Sequence, residues 1–160
     1  MQSNREATAR AATSSPGETI MSLAMSRSER EAFLADIHVG VISIEEPGGP
    51  PLTVPIWYDY EPGGDVWMVM SQDSLKGKLL ANVDRISLCA QSEQAPYSYV
   101  SIEGPFSITQ RTHDHILHMA VRYLGAELGP EYAAASEGGD DNIVVSITPE
   151  TWYTADYNKR

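Results

Sequence analysis

Ser74, Lys76 and Lys78 stand together at the start of a stretch with helical apolar spacing. Between Asp36 and Gln110 the only other basic residue is Arg85, against ten aspartates and glutamates. A phosphate held at a helix start meets unpaired backbone N–H groups and the positive end of the helix dipole, each ionic contact contributing about 0.3–1 kcal/mol. Ser74 with Lys76 and Lys78 would complete such a cradle, and its chemistry would be retention of a phosphate-bearing cofactor. The same three residues also describe an ordinary serine cap followed by two solvated lysines, a role that the negative neighbour Asp73 favours.

A second group lies in Val54-Pro55-Ile56-Trp57-Tyr58. A proline in a strand removes a ladder N–H, so this strand is expected at a sheet edge or open at Pro55, where a flat ring could approach. Trp57, Trp67, Tyr58 and Met70 would supply apolar and polarizable walls, unless they simply fill the core. His113, Asp114, His115 and His118 resemble a metal cluster in composition, with His115 and His118 three apart on one helix face. No cysteine and no second ligand group at comparable spacing closes a tetrahedral shell, so they are read as a polar, solvent-facing helix side with no metal. His38, in an apolar strand, reads as structural. No G-x-S-x-G elbow is present, and the Gly-Gly pairs lack the Lys-Ser or Lys-Thr of a P-loop, which removes hydrolase and nucleotide triphosphatase readings.

These residues must be carried by a small set of elements. Ser26 and Glu29 form a capping box ahead of a short helix running to about Ala35. Strands are expected over Ile37–Ile44, Leu52–Tyr60 and Val66–Met70, separated by Pro- and Gly-rich turns. Leu75, Leu79 and Val83 share a helical row. Further strands cover Ile86–Gln91 and Tyr99–Ile108, the latter with a bulge or bend at Gly104-Pro105. Thr112–Leu124 reads as a helix ending at Gly125, and Gly125–Asp141 as a mobile acidic loop. A last strand, Ile143–Ile147, is ended by Pro149. Six antiparallel strands with peripheral helices are commonly closed into a barrel, which removes edges.

Bulk properties bound the rest. A chain of 160 residues, 42% hydrophobic, supports one core; residues 1–25 read as a disordered tail and 26–160 as the folded domain. A net charge of −11 argues against nucleic-acid or anionic-membrane partners. No apolar run approaches the ~20 residues of a membrane span. The single cysteine, Cys89, fits a reducing, cytoplasmic setting and a packing role.

The order of motifs resembles the actinobacterial proteins grouped as pyridoxamine 5′-phosphate oxidase-like, or flavin/deazaflavin oxidoreductases, over about Ser28 to Tyr157. The pieces are Glu31-Ala32-Phe33-Leu34 leading into His38-Val39-Gly40-Val41, then Val54-Pro55-Ile56-Trp57-Tyr58 and Ser74-Leu75-Lys76. Pro96-Tyr97-Ser98-Tyr99-Val100 with Glu103-Gly104, Arg122-Tyr123-Leu124-Gly125 and Pro149-Glu150-Thr151-Trp152 follow. Two positions depart from the pattern: Leu75 and Ser98 stand where family members often carry arginine, departures that would weaken phosphate binding.

The resemblance implies a six-stranded split β-barrel homodimer that binds FMN or the deazaflavin coenzyme F-420 at the subunit interface. Carried over by position, Ser74 and Lys76 would hold the phosphate with help from Lys78. Pro55, Ile56, Trp57, Met70 and Ser71 would line the ring, and Tyr97 and Trp152 would reach the pocket from the partner. The implied activity is hydride transfer between cofactor and a small organic substrate, with no catalytic dyad expected and Tyr58 one conceivable hydroxyl for the proton. The rival reading is a non-catalytic protein that holds a flavin or another planar ligand on the same barrel.

Overall fold

The computed structural model describes residues 22–136 and 141–160. The first helix, α1 (Arg27–Ala35), begins at the capping box read from the sequence: Ser26 Oγ accepts from Glu29 N–H at 3.3 Å, and Glu29 Oε2 accepts from Ser26 N–H at 2.6 Å. It places Leu34 in the core and leads into β1 (Gly40–Ile44), where every second side chain is buried.

Two curled antiparallel layers share one long strand. The first runs β2 (Leu52–Ile56), β1, β5 (Arg85–Gln91), β6 (Ser98–Gln110) and β8 (Thr151–Asp156); the second runs β3 (Tyr58–Tyr60), β4 (Val66–Ser71), β7 (Asn142–Ile147) and the far half of β6. The change of partner falls at Gly104-Pro105, where a bend was expected. Residues 98–103 of β6 pair with β8, and 106–110 pair with β7. Val66, Met68 and Met70 of β4 point into the interior with Ile42, Ile44, Leu88, Val100, Ile102, Val145 and Ile147, which form the main core.

The mainly β, split-barrel class with peripheral helices stands, but the described residues form eight strands where the apolar pattern suggested six. The run Leu52–Tyr60 is two strands: among the described residues β2 pairs only with β1 and β3 only with β4, so the chain crosses the barrel's split at Trp57. Pro55 therefore sits on an edge strand, as its missing N–H requires. The eighth strand follows Pro149. The β7–β8 connection is held by Thr148 N–H to Pro105 O (2.9 Å) and Glu150 N–H to Glu103 O (3.0 Å), which return the chain to β6. Proline ended β7 without ending the sheet.

The loop expected over Gly125–Asp141 is also corrected. The helix α3 extends over His113–Ala135, interrupted only at Gly125, whose φ of 85° and ψ of 173° are backbone angles that glycine alone adopts readily. The limb after the break is rich in alanine, a strong helix former. It packs Ala133 against Ile116 and Ala120 of the first limb, a small second cluster. Residues 137–140, including Gly138-Gly139, and residues 1–21 of the expected tail lie outside the described residues. Residues 22–25 run beside β8: Leu23 O accepts from Asp156 N–H at 2.8 Å, and Met25 N–H donates to Thr154 Oγ1 at 3.0 Å.

Candidate functional site

Trp57, Met70 and Ser71 line one depression of about 260 Å³, walled by Val69 and by Ile116, Met119 and Tyr132 of α3. Trp57 is held by its neighbours: its ring stacks on Tyr123 at 4.9 Å and 5°, and Tyr132 tilts against it at 5.5 Å. Tyr123 is itself anchored, since its hydroxyl donates to His38 O at 2.7 Å and accepts from Tyr58 N–H at 3.0 Å. One face of the indole is thus covered by protein.

From this depression the chain passes directly into α2 (Leu75–Leu79). Ser74 caps it: Oγ accepts from Gly77 N–H at 3.2 Å and donates to Ser71 O at 2.6 Å. The turn closes so tightly over Gly77 that a Cβ there would fall 2.5 Å from Ser71 O. Lys76 is partly buried and Lys78 exposed, and neither has an ion-pair partner among the described residues. Arg85, the third cation of the region, is spent on Glu103 and Glu150. Ser71 Oγ donates to Asp141, whose carboxyl is held below the usual range first by that bond.

The other sequence-selected residues lie elsewhere. Pro55 borders a separate groove of about 520 Å³ with His38, Val41 and Gln91, and Ile56 packs on the main core. Tyr97 is exposed, with its carbonyl accepting from Tyr157 N–H. Trp152 packs against the core with the Arg30 guanidinium 4.5 Å above its ring. Tyr58 is withdrawn as a proton source: it is fully buried, its hydroxyl donates to Leu34 O at 2.9 Å, and burial pushes its phenol well above the ordinary range.

One constellation escaped the sequence. Asp59 of β3, with its side chain 11% exposed, accepts from Arg122 at 3.0 Å and meets His118 Nε2 at 2.6 Å. Arg122 also donates through Nε to Tyr58 O and through its other terminal nitrogen to Ala35 O and Asp36 O, so it joins α3, β3 and the C-terminal end of α1. The helix side read as solvent-facing therefore carries a buried ionic contact. His118 and Arg122, four apart on one helix row, were the available signal; their acidic partner, 59 residues before His118, was not legible from spacing.

No family model and no curated protein matches the sequence. Solved structures do match its fold. A conserved hypothetical protein of Mycobacterium tuberculosis superposes with a TM-score of 0.70 at 22% identity, covering 86% of this chain and 88% of that one. An F-420 reductase gives 0.64 at 18% identity, covering 77% and 94%. A FAD-binding protein of Mesorhizobium loti gives 0.59 at 17% identity, covering 81% and 94%. The fold is the split β-barrel that the motif order implied, one shared with proteins whose names carry flavin and deazaflavin cofactors. No helix among the described residues is long and apolar enough to cross a membrane.

Proposed function

We propose that this chain is an oxidoreductase that transfers a hydride between a flavin-type cofactor, coenzyme F-420 or FMN, and a small organic substrate. The supporting observation is the continuity of Trp57, Met70 and Ser71, around one apolar depression, with a capped turn that presents two lysines without an ion-pair partner among the described residues. The residues present fit such a group. Apolar and aromatic side chains suit a flat ring, and Lys76 and Lys78 suit its phosphate.

When bound, the cofactor supplies the redox chemistry, and the protein supplies position and a shielded surface. Trp57, fixed by Tyr123 and Tyr132, gives the ring a rigid wall. The Ser71–Ser74 bond fixes the spacing between that wall and Lys76. Leu75, 53% exposed, offers no charge where an arginine would otherwise help, so Lys76 and Lys78 carry the phosphate contact between them. A depression of about 260 Å³ is below the ~300–1,000 Å³ of complete small-molecule sites, which favours a second copy covering the remaining face of the ring. A homodimer, with Tyr97 and Trp152 as candidate partner contributions, is part of this proposal.

The test is anaerobic mixing of the protein with reduced F-420 or reduced FMN and a quinone acceptor. Cofactor oxidation well above the protein-free blank supports the enzyme. Binding with no rate above the blank makes the chain a non-catalytic carrier, and no binding of either cofactor removes both readings.

A further inference from the structure

We propose that the cleft where α1, the β3–β4 turn and the start of β8 meet is a separate binding site for a small monocarboxylate, with Arg30 as its receptor. The cleft encloses about 270 Å³ between Arg30, Tyr60, Gly64, Glu150 and Trp152. Gly64 lies just before β4 and Ser71 ends it, so the cleft and the Trp57 depression sit at opposite ends of that strand, roughly 20 Å apart. The two sites are separate.

Arg30 is a cation without an anion. Arg27, Arg85 and Arg122 each hold a carboxylate at 3.1 Å or less. Arg30 has no hydrogen bond or ion pair among the described residues, and its Nε is buried without a partner. Leaving a buried guanidinium N–H without an acceptor is costly, yet the side chain is held in place, with its Cζ 4.5 Å from the centre of the Trp152 ring. The ring face stabilises the cation but offers no lone pair to the N–H donors. Tyr60 meets the same ring edge-on at 6.2 Å and adds a second donor. It is 3% exposed and its oxygen accepts from Gly63 N–H at 3.2 Å. Burial pushes the phenol up, so its proton stays on, with no acceptor among the described residues. The acids that border the cleft are already taken, Glu31 by Arg27 at 3.0 Å and Glu150 by Arg85 at 2.7 Å. What remains open is one guanidinium and one O–H, which together suit the paired oxygens of an anion. The two engaged carboxylates repel a multiply charged anion, so the ligand carries a single negative charge. Apart from Pro149 and the Trp152 ring the walls are polar, so that ligand has little apolar body.

The test uses the full chain with acetate, chloride and inorganic phosphate at matched ionic strength. NMR follows the Arg30 Nε–H and the Trp152 indole N–H. Acetate is expected to shift both saturably, chloride to give no saturable shift, and phosphate to bind more weakly than acetate or not at all. Arg30→Lys, which keeps the charge without the fork, and Tyr60→Phe, which removes only the hydroxyl, should each weaken acetate about fivefold or more, read at Trp152. Arg30→Lys keeps a cation and its stem over Trp152, so it stays folded even where Tyr60→Phe, which strips Gly63 N–H of its acceptor, does not. Absence of a saturable acetate shift overturns the proposal. So does a response to chloride or phosphate equal to that of acetate or stronger, or acetate affinity unchanged in a folded Arg30→Lys variant, which would leave Arg30 as packing for Trp152. Flavin or F-420 binding is read separately, so failure here leaves the oxidoreductase reading untouched.

Discussion

Asp59 and Arg122 meet at 3.0 Å with side chains only 11% and 14% exposed, and through them α3 is fastened to the edge strand that follows Trp57. The pair does not stand alone, because the same guanidinium holds the last carbonyls of α1. Removing Arg122 would leave the nearly buried Asp59 carboxylate with His118 alone and strip the carbonyls of Tyr58, Ala35 and Asp36 of a donor.

Arg122→Ala is therefore expected to destabilise the fold by about 3–5 kcal/mol. Urea unfolding measures it directly, and Arg122→Lys should recover only part of the loss, since an ammonium cannot reproduce the fork. A change below about 1 kcal/mol would mean that the ionic contact is not what joins α3 to β3.

Gly125→Ala places a side chain at φ 85° and ψ 173°, where there is room for the Cβ but not for its backbone angles. The strain should lower stability by about 1–3 kcal/mol and loosen the limb that carries Tyr132. Thermal unfolding with Trp57-dependent fluorescence reports both effects.

At Gly77 the obstruction is steric instead. A Cβ there would collide with the carbonyls of Ser71 and Gln72, backbone atoms that cannot swing aside. Gly77→Ala should cost about 1–3 kcal/mol and weaken cofactor binding by displacing the Ser71–Lys76 turn. Unchanged affinity in a folded variant would separate the turn from the binding site.

Acid should weaken the fold. Lys159 and Ser26 hold the Glu29 carboxyl below its usual range, Arg85 and Thr151 do the same for Glu103, and Asn158 for Asp156. Groups depressed in the folded state stabilise it above the ordinary carboxylate range and lose that contribution as pH falls through the folded values. Urea midpoints should be flat from pH 7 to about 5 and fall below about pH 4. Glu103→Gln should shallow that fall, by a modest amount because the group is exposed and screened by solvent.

Local chemistry was legible before any coordinates. Ser26 with Glu29, Ser74 ahead of Leu75, Pro55 on an edge and the bend at Gly104-Pro105 each declare themselves within a few residues, because caps, missing donors and bends are short-range events. What the sequence concealed depends on distant partners. The strand after Pro149 exists because β6 waits to pair with it. The limb after Gly125 is helical because Ala133 finds Ile116 and Ala120 to bury against. Asp59 looks like an ordinary polar residue between two tyrosines until the fold delivers His118 and Arg122. At the candidate site, the spacing of Ser71, Ser74 and Lys76 was readable, whereas the covering of Trp57 by Tyr123 and the capture of Ser71 by Asp141 were not.

The proposed function turns on Lys76 anchoring the phosphate of a flavin-type cofactor whose ring lies against Trp57. The most direct measurement is fluorescence titration of the purified apo-protein with FMN and, separately, with coenzyme F-420, each repeated with Lys76→Ala. Tight binding of at least one cofactor is expected, with a weakening of tenfold or more in the variant, about 1.4 kcal/mol. Binding of neither cofactor, or equal affinity with and without the Lys76 ammonium, would contradict it.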